Sequence, residues 1–262
     1  MSQAVRVGDL VDGTELEAQQ NCERHGPYLA KKVVAFGRAL GGRCPVCQDE
    51  ERREQERRER ALRQIEDERL IQQRLSAADI PRRFQERRIA TYQAETPEQV
   101  KALTICTSYA KDFKARLELG TSLVLCGRPG TGKTHLAIGV AHEAIQQGYS
   151  ARFISVMNAI RRIRETYSRD TSESERKVID AFALPHLLVL DEVGQQRGSD
   201  DEKILLFDII NARYEAVRPT IIISNLDLAG IAEYLGERAF DRLREGGGKA
   251  LQFTWDSYRR SA

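Results

Sequence analysis

The sequence predicts an α/β fold, a parallel sheet with helices on both faces built around a phosphate-binding loop. Three observations lead there. From residue 97 onward, apolar runs alternate with helical segments. A full G-x-x-x-x-G-K-[ST] motif, GRPGTGKT at 127–134, stands between one apolar run and a helix. A second apolar run, LLVL, ends in the adjacent acids Asp191 and Glu192. Strands separated by whole helices cannot pair through tight hairpins, so they return in parallel, with the helices covering both faces.

The elements follow in order. Residues 1–48 hold two short Cys/His pairs and many glycines, and read as a small separate module. Residues 49–75 form a charged helix without Pro or Gly, whose acids and arginines, such as Glu54 and Arg58, stand four apart in the favourable order. It has no sustained heptad and reads as a solvated spacer rather than a coiled-coil seam. Residues 76–96 are a linker containing IPRRF, and 97–262 are the α/β domain. Thr96 and Pro97 mark a helix start, as N-cap and first helical position. Strands are expected at 122–126, 151–155, 187–191, 220–224 and 250–254. Helices are expected at 134–147, closed by Gly148, then at 156–168, 201–217 and 228–243.

Composition limits the possible partners. The net charge of +2 excludes a globally basic nucleic-acid binder and leaves only local basic patches. The N-terminus lacks the basic start and apolar run of a secretory signal, and no apolar run is long enough to span a bilayer. The chain reads as soluble and cytoplasmic, with no membrane partner. Among the five cysteines, Cys126 lies in an apolar run and reads as a small buried thiol. Cys106 falls on a helix without an evident role.

The loop defines a nucleotide site. Its residues, Gly127, Arg128, Pro129, Gly130, Thr131, Gly132, Lys133 and Thr134, wrap backbone N–H groups round phosphates at a helix N-terminus. Lys133 would reach the β- and γ-phosphates of ATP, and Thr134 would ligate Mg2+. Asp191 would hold the same magnesium through water, and Glu192 would polarise the attacking water as general base. Asn225, at the tip of another buried strand, would meet the γ-phosphate or that water, although Asn is also a common strand-end cap.

The motifs GRPGTGKTHLA, LLVLDEVG, LGERAFDRLR and FTWDSYR resemble those of the DnaC/DnaI replicative-helicase loaders, a branch of the AAA+ ATPases. IPRRF is similar to the short motif before their ATPase core, so the resemblance covers residues 80–260. It implies ATP hydrolysis, self-assembly through the ATP site, a DnaB-type helicase partner and single-stranded DNA. It also implies that Arg242 is the arginine finger acting on a neighbour's ATP, with Arg238 as its rival, and that Arg259 is the sensor-2 arginine. The IstB-like transposition helpers have a very similar core and remain an alternative. A third reading is a non-catalytic adaptor stabilised by zinc and ATP, which intact Lys133, Asp191 and Glu192 oppose.

Cys22-x2-His25 and Cys44-x2-Cys47, separated by 18 residues, supply four ligands of the kind that structural Zn2+ takes in a closed tetrahedron. A module this small needs such a staple. It departs from the simplest loaders, whose N-terminal regions are helical. The arginines Arg161, Arg162 and Arg164 beside Tyr167 read equally as a single-stranded DNA track and as an ordinary charged helix face.

Overall fold

Tight turns between short polar segments return a chain beside itself, so the first elements pair antiparallel. The computed structural model describes residues 13, 15–35, 38–168, 172–195 and 199–258. They divide into two units, Met1–Glu68 and Arg69–Ala262. In the first, β1 (Glu15–Cys22), β2 (Gly26–Ala35) and β3 (Arg38–Gly41) form an antiparallel sheet in that order. The charged helix α1 spans Pro45–Ala77 with no buried residue. It therefore begins inside the second cysteine pair, ahead of the expected start, because Pro45 is suited to a first helical turn. Ion pairs such as Arg58 to Glu54 at 3.1 Å line its exposed surface.

The second unit takes in the last residues of α1 from Arg69, and its first complete α-helix is α2 (Pro97–Lys111), whose N-cap Thr96 accepts from the Gln99 N–H in a capping box. The short helix α3 (Phe113–Leu119) follows. Then come β4 (Leu123–Gly127), α4 (Lys133–Gln146), β5 (Ala151–Ser155), α5 (Val156–Arg164), α6 (Glu175–Ala183) and β6 (Leu187–Val193). The chain continues through α7 (Asp200–Glu215), β7 (Thr220–Ser224), α8 (Leu228–Leu235), α9 (Glu237–Arg244) and β8 (Lys249–Phe253). The five strands are all parallel, in the order β5-β6-β7-β4-β8.

Strand alternation divides the core in two. Leu123, Leu125, Val189, Ile221 and Ile223 pack on one face with α2 and α4. Val124, Cys126, Leu188, Leu190 and Ile222 pack on the other with α5, α7 and α9. Cys126 and Cys106 are both fully buried. Two helical expectations change. The helix expected at 228–243 breaks at Gly236, whose φ of 78° and ψ of 154° suit glycine. Helix α6 was not expected; its signals are the Ser174 cap and the Val178/Phe182 pair, both buried. Among the described residues, no helix is long and apolar enough to cross a membrane.

Candidate functional site

The carboxyl ends of parallel strands are where an open α/β sheet presents its crevice, and the sequence motifs converge there. A cleft of about 990 Å3 is lined by the loop residues Pro129, Gly130, Gly132, Lys133 and Thr134 together with Asp191, Glu192 and Asn225. The loop leaves β4 beside β8, and Gly127 lies so close that a Cβ would sit 2.5 Å from the Phe253 carbonyl oxygen. Gly132 caps α4 with a φ of 91°. Lys133 is 5% exposed, and its ammonium donates to the carbonyls of Gly127 at 2.7 Å and Arg128 at 2.6 Å. Arg128 is itself exposed, with its guanidinium 3.3 Å from Asp256.

Two acids at one strand end take different environments. The Thr134 hydroxyl donates to Asp191 at 3.2 Å, so two hard oxygens stand together at the cleft floor. Burial raises the Asp191 pKa above the usual carboxylate range, against the lowering pull of the Glu192 N–H. Beyond it, β6 loses register between Leu190 and Val193. The bulge gives Glu192 a φ of 64°, a left-handed conformation that costs a bulky residue of order 1 kcal/mol. It leaves Glu192 exposed at the cleft. Ser224 ties the neighbouring strand end down, donating to the Val193 carbonyl at 2.6 Å.

The loop is also braced from behind. Thr131 is buried, and its carbonyl accepts from the Trp255 indole N–H at 3.0 Å and from the Tyr92 hydroxyl at 3.3 Å. The Tyr258 N–H donates to the Gly130 carbonyl at 3.0 Å, and its hydroxyl donates to the Gln93 carbonyl at 2.7 Å. Tyr92 therefore belongs to the site although it lies in the linker. The sequence offered only an aromatic residue after IPRRF as a signal.

The family model described as "IstB-like ATP binding protein" matches residues 53–261, a span that contains the whole cleft. The chain belongs to the IstB-like ATP-binding family. Within this AAA+ family it is similar to "Replicative helicase loader DnaC" of Escherichia coli strain K12, 33% identical over 168 residues, covering 64% of this chain and 67% of the relative. The same-named protein of Buchnera aphidicola subsp. Schizaphis graminum is 35% identical over 168 residues, with the same coverage. Among solved structures, "Crystal structure of the DnaC helicase loader" aligns with a TM-score of 0.59 and 26% identity, covering 66% of this chain and 100% of that one. "Crystal Structure of the DnaI" shares the fold at a TM-score of 0.57 and 19% identity, covering 67% of this chain and 95% of that one.

The family match ends short of the N-terminal cysteines, which form a separate cluster. Cys22 and His25 flank the β1–β2 turn, whereas Cys44 and Cys47 flank the start of α1. Their ligand atoms all lie within 4.8 Å of one another. His25 Nδ1 is 3.3 Å from the Cys47 sulfur and 3.7 Å from those of Cys22 and Cys44. A tetrahedron with zinc–sulfur bonds of about 2.3 Å has edges of about 3.8 Å, so the donor set fits that ion. The other ring nitrogen, Nε2, lies 3.2 Å from the Glu50 carboxylate, which orients the ring as carboxylates do around metal-bound histidines. Backbone N–H groups of Arg24 and His25 lower the Cys22 pKa to about 6.

The arginines of this IstB-like chain divide. Arg242 in α9 is half-buried, whereas Arg238 on the same helix is exposed. Neither lines the cleft of its own chain. Arg259 lies outside the described residues. In the 161–167 segment, Arg162 pairs with Glu165 and Glu173, and Arg164 reaches Asp201 at 2.9 Å. Those acids offset the basic stripe that the sequence suggested.

Proposed function

We propose that this chain is an ATP-dependent loader that places a replicative ring helicase on single-stranded DNA. The observation that carries the reading is the match to proteins named replicative helicase loader over 64% of this chain, joined to Lys133, Thr134, Asp191, Glu192 and Asn225 lining one cleft. Lys133 would bind the β- and γ-phosphates. Thr134 and Asp191, already in contact, would hold Mg2+, which would draw charge from the phosphates. Glu192 would take a proton from the attacking water, with Asn225 orienting it and Arg259 contacting nucleotide in its own subunit. Hydrolysis would need a second copy, because Arg242 would act across an interface between subunits. Zn2+ held by Cys22, His25, Cys44 and Cys47 would fix the N-terminal unit as a platform for the helicase partner.

The test is reconstitution with the ring helicase of the same host. Helicase should co-purify with the chain, load onto a single-stranded circle only when ATP is supplied, and fail to load with Lys133→Ala. A second reading has its own support, since the matching family model carries the IstB description. A transposition helper should be stimulated in ATP hydrolysis by double-stranded DNA and should show no helicase capture. That pair of results would replace the loader reading.

A further inference from the structure

Arg242 is held by rings rather than by acids. Its guanidinium carbon lies 4.7 Å from the centre of the Phe207 ring and 5.3 Å from that of Tyr214. These two residues are seven apart on α7, two helical turns along one face. Tyr214 is anchored in turn, its hydroxyl donating to Glu245 at 2.8 Å. Yet Arg242 Nη1 is buried and has no hydrogen-bond partner among the described residues. Aromatic faces attract a cation without neutralising it. The half-buried guanidinium therefore keeps its charge, and its more open N–H groups remain able to meet an anion.

The surroundings indicate where that anion originates. Arg242 lines a cavity of about 330 Å3 with Ser122, Thr220, Arg218, Glu215 and Glu245, and among the described residues neither acid forms an ion pair with it. Ser122 and Thr220 stand where β4 and β7 begin, whereas the P-loop follows the end of β4. The chain's own nucleotide cleft lies at the other end of the sheet, so Arg242 does not serve that cleft. We propose that Phe207 and Tyr214 form an aromatic slot that positions Arg242 for the nucleotide phosphates of a second copy of this chain. The proposal rests on the reading of Arg242 as a finger acting in trans. Phe207 and Tyr214 are then positioning residues, acting through Arg242 without touching nucleotide.

Mixed-subunit ATPase assays separate the two layers. First, Arg242→Ala is mixed with Lys133→Ala, which cannot bind ATP but keeps its finger. Recovery of activity supports the trans reading, and its absence removes that reading together with the slot. Next, the double variant Phe207→Leu/Tyr214→Leu should bind ATP as wild type does and hydrolyse it roughly tenfold more slowly, the scale of a desolvated cation–π contact. Mixing with Lys133→Ala should restore it, because an intact slot then serves the intact site. Phe207→Tyr, which keeps the ring, should recover most of the rate that Phe207→Leu loses. A double variant at wild-type speed overturns the slot. So does one that stays slow in the mixture when Arg242→Ala is rescued. If the double variant fails to fold, Phe207→Leu and Tyr214→Leu are assayed singly against the same two outcomes.

Discussion

The two units are stabilised by different chemistry. In the N-terminal unit the buried apolar set among the described residues is small, Ala30, Val34 and Cys44, and its charged helix buries nothing. In the ATPase unit, two apolar clusters sandwich a five-stranded sheet. Burial scales with the size of a unit, so a small one falls short of its conformational entropy and needs a staple. The difference teaches that the first unit should depend on a ligand that the second can ignore, and that the second should be sensitive to individual core groups.

The largest expected effect separates them directly. Chelation of Zn2+ should unfold the N-terminal unit, because structural zinc contributes on the order of 10 kcal/mol. The ATPase unit should stay folded. The single tryptophan of the sequence, Trp255, lies in that unit against the P-loop and reports on it alone. Circular dichroism should lose signal while Trp255 fluorescence holds, and Cys47→Ser should behave like chelation. Loss of both signals together would collapse the comparison.

The converse change disables the second unit without touching the first. Lys133→Ala should weaken ATP binding about 100-fold or more, since the loop would lose the cation proposed to face the phosphates, with zinc content unchanged. Glu192→Gln should still bind ATP and hydrolyse it about 100-fold more slowly. Titration with a fluorescent ATP analogue, run beside phosphate release, distinguishes the two. Equal affinity in Lys133→Ala and wild type would remove the cleft from the account.

Core sensitivity is sharpest at Arg213, which is 1% exposed. Its guanidinium donates to Thr220 Oγ1 at 2.9 Å and to the carbonyls of Phe182 at 2.6 Å, Pro185 at 3.0 Å and Pro219 at 2.6 Å. Burial lowers its pKa to about 9. Arg213→Met strands those carbonyls and should cost about 3 kcal/mol in urea unfolding followed by Trp255. Arg213→Lys should not restore it, because one ammonium cannot span the fork. A loss below about 1 kcal/mol would mean that the carbonyls find water.

The smallest effect concerns acid. His142 on α4 is 4% exposed. Burial, with Arg88 close by, lowers its pKa to about 4 against the opposing pull of the Gln85 backbone and of Glu86. The unfolded chain, with a histidine near 6.5, then binds more protons in the interval between those values. Stability of the ATPase unit should therefore fall as pH drops from about 6.5 to 4, by a few kcal/mol at most. His142→Phe should flatten that slope in Trp255-monitored unfolding, and an unchanged slope would assign it elsewhere.

The sequence alone determined the parts that depend on local pattern. Apolar runs and helical spacers specified a parallel sheet, GRPGTGKT specified the loop, and the Cys/His spacing specified four donors that the structure gathers within 4.8 Å. The cap at Thr96 was legible because a cap is made by residues three apart. Only the tertiary structure decided what rests on residues far apart in the chain. Arg213 is a core group only because Phe182, Pro185 and Pro219 close round it. Tyr92 joins the loop from 39 residues away, and Trp255 from 124. Arg162 and Arg164 formed a basic stripe in sequence, and distant acids at Glu173 and Asp201 changed its character. Short-range signals survive in one dimension because backbone geometry fixes which neighbours meet. Charge and solvation do not, because both depend on what the fold later brings alongside.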